Sequence, residues 1–164
     1  MIQKRELFGS LVSSFKRGGQ KSETIIRPPY FSDVESFLEN CIECNGVCEN
    51  FCQEKIIVIK EDKTPVLDFS KGGCTYCDEC AKACEFGVLD IKNKRSIKAK
   101  ITINVLECLS WDKTMCFSCK DVCMEDAIVY LGLFRPEIDM DICTNCGFCV
   151  NVCPTQAIKV KKWQ

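Results

Sequence analysis

Sixteen cysteines and no histidine set the chemistry open to this chain of 164 residues. The cysteines fall into four quartets. The second is Cys74, Cys77, Cys80 and Cys84; the fourth is Cys143, Cys146, Cys149 and Cys153, with Pro154 next. Both are spaced C-x2-C-x2-C-x3-C. Three thiolates that close together on one loop can wrap three irons of a 4Fe–4S cubane. The fourth lies on the following helical turn, faces the other way and reaches the neighbouring cluster. Two such quartets therefore share two clusters by exchanging their fourth cysteines. Structural zinc sites use two C-x2-C pairs per metal and need no third cysteine two residues on. Repeated triplets thus argue against zinc.

The third quartet departs from this spacing. Cys116, Cys119 and Cys123 are regular, but the first cysteine is displaced to Cys108, giving C-x7-C-x2-C-x3-C. Either a longer loop containing Trp111 returns Cys108 to the site, or Cys108 is a buried free thiol. The first quartet, Cys41, Cys44, Cys48 and Cys52, carries one extra residue between its second and third members. Radical S-adenosylmethionine enzymes use C-x3-C-x2-C, the reverse of the C-x2-C-x3-C found here. The extra residue lies in Asn45-Gly46-Val47, where Asn and Gly tolerate the positive φ of a tight bulge. Tandem pairing gives four ligand sets: Cys41, Cys44, Cys48 and Cys84; Cys74, Cys77, Cys80 and Cys52; Cys108, Cys116, Cys119 and Cys153; Cys143, Cys146, Cys149 and Cys123. A nested pairing, first with fourth and second with third, stays open at this point.

The elements that must hold these thiols repeat with them. After the first quartet come "IIVI" (Ile56–Ile59), a turn at "EDKTP" and "VLDF" (Val66–Phe69). After the third come "AIVYL" (Ala127–Leu131), a turn through "GLFRP" and "EID" (Glu137–Asp139). Each reads as a hairpin leading into the next quartet. The fourth quartet leads into "AIKV" (Ala157–Val160). The second leads into "VLDI" and then "SIKAKITINV", where Ile97, Ala99, Ile101, Ile103 and Val105 alternate onto one strand face. Before the first quartet, "SDVE" fits a capping box with Ser32 as cap and Glu35 reaching back, opening a helix "DVESFLEN" that runs into Cys41. Phe51, Phe86, Phe117 and Phe148 fall inside or beside the quartets and are expected to keep water off the sulfides. Little other core is evident, so folding is expected to depend on the clusters. The fold class is α+β: two tandem bacterial ferredoxin-like modules, residues 30–95 and 96–164, after a basic tail over 1–29.

Composition narrows the function further. Without histidine there is no Rieske centre, His-ligated haem, Cys2His2 zinc site or His general base, and the chain is read as a non-enzyme. Residues 1–29 carry six Lys or Arg against Glu6 and Glu23, whereas residues 30–164 carry 16 basic and 21 acidic side chains. The tail reads as a partly disordered terminus, or as a short helix, with Leu7, Leu11 and Phe15 on one stripe, docking on a partner or an anionic membrane surface. The run Lys92–Lys100 has five basic residues and no acidic one; it reads as a solvated turn or a docking patch. The N-terminus is a poor signal peptide and no apolar run approaches a membrane span, so the expected compartment is the cytoplasm. No nucleic-acid partner is expected.

The whole chain resembles the NapF family, ferredoxin-type accessory proteins of the periplasmic nitrate reductase system. The resemblance rests on "IRPPY" before the first quartet, on four quartets in about 160 residues, on the displaced Cys108 and on the closing "CTNCGFCVNVCP". Two departures from the family pattern are the extra residue in the first quartet and Glu85 in place of proline after Cys84. The resemblance implies a cytoplasmic iron–sulfur protein with four 4Fe–4S clusters. It also implies that the protein binds the molybdenum-containing catalytic subunit before export and helps to mature it. The alternative is an electron-transfer protein passing single electrons to a redox enzyme.

Overall fold

The computed structural model describes residues 25–93 and 96–163. Residues 1–24 of the tail proposed over 1–29, with the Leu7-Leu11-Phe15 stripe, lie outside the described residues. So do Lys94 and Arg95 of the second basic run.

The elements are short because the quartets interrupt the chain so often. In order they are α1 (Glu35–Asn40), α2 (Val47–Phe51), β1 (Ile57–Ile59), β2 (Pro65–Leu67), α3 (Glu79–Lys82) and β3 (Ala99–Ile103). There follow α4 (Ser118–Asp121), β4 (Ile128–Tyr130), β5 (Pro136–Ile138), α5 (Phe148–Asn151) and β6 (Ile158–Lys162). Helices of one turn are not stable alone in water. Four of them, α2 to α5, carry the third cysteine of a quartet: Cys48, Cys80, Cys119 and Cys149.

The strands form three antiparallel pairs. β1 pairs with β2, with Val58 opposite Val66, and β4 pairs with β5, with Val129 opposite Glu137. Both hairpins follow the spacing of their apolar residues. β3 pairs with the distant β6, from Ala99 opposite Lys162 to Ile103 opposite Ile158. Quartets three and four with the hairpin β4–β5 thus lie between two paired flanking strands. Short hairpins, flanking strands and one-turn helices at the cysteines make the fold ferredoxin-like.

Two apolar clusters support it. The larger gathers Ile26, Tyr30, Phe31, Phe37, Ile56, Ile57, Leu67, Phe69, Val88, Leu89, Ile97 and Ala99. Phe37 is fully buried, meets Phe31 edge-on at 5.2 Å and lies under the Arg27 guanidinium at 4.8 Å. Arg27 Nη1 donates to Thr64 Oγ1 at 2.6 Å and to the Pro65 carbonyl at 2.8 Å. Pro28 and Pro29 are also fully buried, so packing starts ahead of residue 30. The smaller cluster is Ile101, Ile128 and Ile158 with Cys119 and Cys149. Val150 packs against both. The expectation of little core therefore fits the second half and not the first.

Three local expectations are corrected. The helix before Cys41 begins at Glu35, after Val34, with no side-chain cap; Ser36 Oγ instead donates to the Asp33 carbonyl at 2.7 Å. It does run into Cys41, whose N–H donates to the Phe37 carbonyl. "VLDI" is no strand: Val88 and Leu89 are buried as a turn. The alternating face of β3 holds for Ile97, Ala99 and Ile101, but Val105 is exposed, because the chain turns after Asn104, whose N–H bonds to the Ala157 carbonyl.

Candidate iron–sulfur centres

The sixteen thiols gather into four groups, each taking three members from one quartet and one from another. In the first site Cys41 and Cys48 are flanked by Cys44 and Cys84. At the second site Cys52, Cys74, Cys77 and Cys80 line a small apolar cavity with Ile56, Ile57 and Leu67. At the third site Cys108, Cys116, Cys119 and Cys153 line a cavity with Ile103, Leu109 and Ile158. At the fourth site Cys123, Cys143, Cys146 and Cys149 line a cavity with Ile101, Ile128 and Ile138. Each fourth cysteine thus crosses to the neighbouring site, first with second and third with fourth. Among the described residues no three Cys, Asp or Glu side chains are placed to hold a single metal ion. The thiols surround cavities instead of converging on a point.

The local backbone explains how unlike spacings build like sites. Two residues before the third cysteine the chain is left-handed at Gly46 (φ 69°), Asp78 (φ 67°) and Gly147 (φ 88°). Aligned on this position, the additional residue of the first quartet is Asn45, just before the left-handed Gly46. A Cβ on Gly46 would also sit 2.7 Å from Ile59 Cγ1. In the third quartet Phe117 holds this place with φ −118°.

Cys108 returns through a compact loop. The Asp112 N–H bonds to the Cys108 carbonyl, and the Thr114 N–H to the Leu109 carbonyl at 2.9 Å. Buried Ser110 donates from Oγ to the Cys116 carbonyl at 2.8 Å, and Tyr130 Oη donates to the same carbonyl. Trp111 Nε1 donates to the Pro136 carbonyl at 3.2 Å, with the Arg135 guanidinium 5.7 Å from its ring. Trp111 therefore ties the loop to the hairpin β4–β5.

A feature that spacing alone did not reveal recurs in all four units. Three residues after each fourth cysteine stands a left-handed residue: Lys55, Gly87, Asp126 and Gln156. Its N–H bonds to the carbonyl of that cysteine in every case. This turn reverses the chain and aims later N–H groups at sulfur: Leu89 to Cys84 Sγ at 3.4 Å and Ala157 to Cys153 Sγ at 3.2 Å. The expected aromatic shell holds at Phe148, which is half-buried and lines the cavity of Cys143, Cys146 and Cys149, and is corrected elsewhere: Phe51, Phe86 and Phe117 are 52%, 43% and 38% exposed. Ile56, just before β1, and the strand residues Ile57, Ile101, Ile128 and Ile158 line the cavities and keep them dry.

A 4Fe-4S binding domain matches residues 136–159, the stretch containing all of the fourth quartet. The chain is 30% identical over 143 residues to the ferredoxin-type protein NapF of Escherichia coli K12, covering 85% of this chain and 86% of that one. With NapF of Haemophilus influenzae it shares 31% over 153 residues, 91% and 86% of the two chains. The chain belongs to the NapF family. The ferredoxin-type protein NapG of Haemophilus influenzae is also similar, at 28% over 161 residues, 83% of this chain and 57% of that protein.

The donor chemistry of this NapF-family chain fits iron–sulfur clusters. Burial, reinforced by neighbouring thiols, pushes Cys48, Cys80 and Cys149 up to about 12 and Cys119 up to about 11. Burial likewise raises Cys74 to about 11, against the opposing Tyr76 N–H. Dry cavities that disfavour four bare thiolates suit a core that brings positive iron to them. Burial also raises Cys153, but the bonds it accepts from Ile158, Thr155 and Ala157 prevail and lower it. N–H groups aimed at sulfur favour the thiolate that ligation requires. Cys41, Cys48, Cys80, Cys119 and Cys149 are buried, and Cys77 is the exposed ligand candidate. Among the described residues no helix is long and apolar enough to cross a membrane.

Proposed function

We propose that the chain is a polyferredoxin with four 4Fe–4S clusters in two tandem modules, residues 30–95 and 96–164. Its role is that of a non-catalytic accessory factor that matures the molybdenum-containing catalytic subunit of periplasmic nitrate reductase in the cytoplasm before export. The observation that carries the cluster reading is the partition of all sixteen thiols into four sets of four, each completed by a thiol from its module partner. The proposed ligand sets are Cys41, Cys44, Cys48 and Cys84; Cys52, Cys74, Cys77 and Cys80; Cys108, Cys116, Cys119 and Cys153; Cys123, Cys143, Cys146 and Cys149. A bound 4Fe–4S cluster supplies one-electron chemistry. The chain's own residues hold it, exclude water and donate N–H bonds to its ligands. Membership of the NapF family supports the accessory role.

The second reading, an electron-transfer subunit, is favoured by the direct contact between the second and fourth quartet loops, where the Cys74 N–H donates to the Cys146 carbonyl. The two readings differ in partner state. A maturation factor captures the immature catalytic subunit and releases the mature one. Equal capture of both from purified components would reject maturation and leave electron transfer. Anaerobic analysis should find about 16 iron and 16 labile sulfide per chain; zinc without sulfide would reject both.

A further inference from the structure

The second and fourth quartet loops lie directly against each other. The Cys74 N–H donates to the Cys146 carbonyl at 2.7 Å. Tyr76 Oη donates to the Thr144 carbonyl at 2.5 Å, and Asn151 Nδ2 to the Lys71 carbonyl at 3.2 Å. Two glycines allow this approach. A Cβ on Gly73 would stand 2.5 Å from the Phe148 nitrogen, and one on Gly147 would stand 2.2 Å from the Phe69 ring. The contact therefore joins two cluster sites through the backbones of their own ligands. From Cys74 Sγ to Cys146 Sγ the path is covalent except for one hydrogen bond.

Within each half the sites also touch. α2, carrying Cys48 of the first site, packs on α3, carrying Cys80 of the second, and α4, carrying Cys119 of the third, packs on α5, carrying Cys149 of the fourth. The spatial order is thus first, second, fourth, third, unlike the order along the chain. We infer that the molecule is one continuous electron relay in that order, with the Cys74–Cys146 hydrogen bond as its central crossing. The irregular first and third quartets form its two ends. The inference rests on the four-cluster reading and adds the connection between the halves. Each step moves one electron: the site it leaves is oxidised by one electron and the next is reduced by one. No bond forms or breaks, and no proton moves. The electrons come from a low-potential one-electron donor and leave to the redox centre of the partner.

The test uses the full chain, anaerobically purified and reduced with dithionite. Iron and sulfide analysis comes first, so that failure of the cluster reading is seen separately. Cys44→Ala with Cys116→Ala removes the end sites and leaves the second and fourth. This variant should keep about half its iron and show EPR lines broadened by spin–spin interaction. Cys77→Ala with Cys146→Ala leaves the first and third, and should show two isolated signals. Isolated signals from the first variant, or interacting ones from the second, would overturn the order. Gly73→Ala and Gly147→Ala keep every cysteine. Should the paired deletions lose all iron, these decide. With iron unchanged, the power needed to saturate the reduced signals should fall severalfold as the crossing is forced apart; saturation identical to that of the parent protein would overturn the inference.

Discussion

Cys52→Ala tests the exchange of ligands between quartets most sharply. Cys52 ends α2 in an extended conformation (ψ 107°). It leaves its own quartet there and lines the cavity of Cys74, Cys77 and Cys80. Losing it should cost one cluster of four, so iron should fall by about a quarter, from about 16 to about 12 atoms per chain. The count alone does not say which cluster is lost, but combinations do. Two changes at one site are not additive, whereas changes at separate sites add. Cys52→Ala with Cys77→Ala should therefore retain about 12 iron, since both strike the second site. Cys52→Ala with Cys44→Ala should retain about 8, since they strike the second and the first. The reciprocal pair, Cys84→Ala with Cys44→Ala, should again retain about 12. The assay is iron and sulfide per folded chain after anaerobic gel filtration. If Cys52→Ala adds to Cys77→Ala but not to Cys44→Ala, quartets keep their own fourth cysteines and the exchange is refuted.

Three further outcomes are expected. Gly46→Val places a side chain at φ 69° against Ile59 and should cost about 2–4 kcal/mol, seen as a lower anaerobic unfolding midpoint. An unchanged midpoint would mean that the left-handed turn is not required. Trp111→Ala removes the bond to the Pro136 carbonyl and the contact with Arg135, a loss of about 1–3 kcal/mol. About four irons should then leave to a chelator faster than the rest, whereas uniform release would contradict the role of Trp111 as a tie. Stripping the clusters should abolish amide protection over 99–163 first, because the apolar cluster there is small, while protection around Phe37, Ile56 and Leu67 persists longer. Simultaneous loss in both halves would show that the Phe37 core adds no independent stability.

Spacing along the chain conveyed the cysteine quartets and both hairpins, because each depends on residues close in sequence. The tandem arrangement and the return of Cys108 stayed open there because a thiol's reach across the chain is not a local property. The partner of β3 was hidden for the same reason: "AKITI" alternates well, but nothing in it names Ile158–Lys162 as its mate. The capping box at Ser32 failed because a four-residue pattern does not fix where a helix starts when Phe37 must reach the core. Three of the four phenylalanines misled by proximity. They adjoin cysteines in sequence, yet at Phe51, Phe86 and Phe117 the backbone turns them toward solvent. The repeated turn at Lys55, Gly87, Asp126 and Gln156 was invisible because only one of the four residues is glycine.

The reach of Cys153 into the third cavity also fixes an order of birth for the sites. Cys153 is the last of the sixteen cysteines to be synthesised. The first two sites have all their thiols once Cys84 has been made, and the fourth once Cys149 has. Until Cys153 and the strand after it follow, Cys108, Cys116 and Cys119 form a cavity with one corner missing and β3 has no mate. A chain stopped short of Cys153 would carry three complete thiol sets and one open one. The third cavity thus marks whether the described fold has been finished.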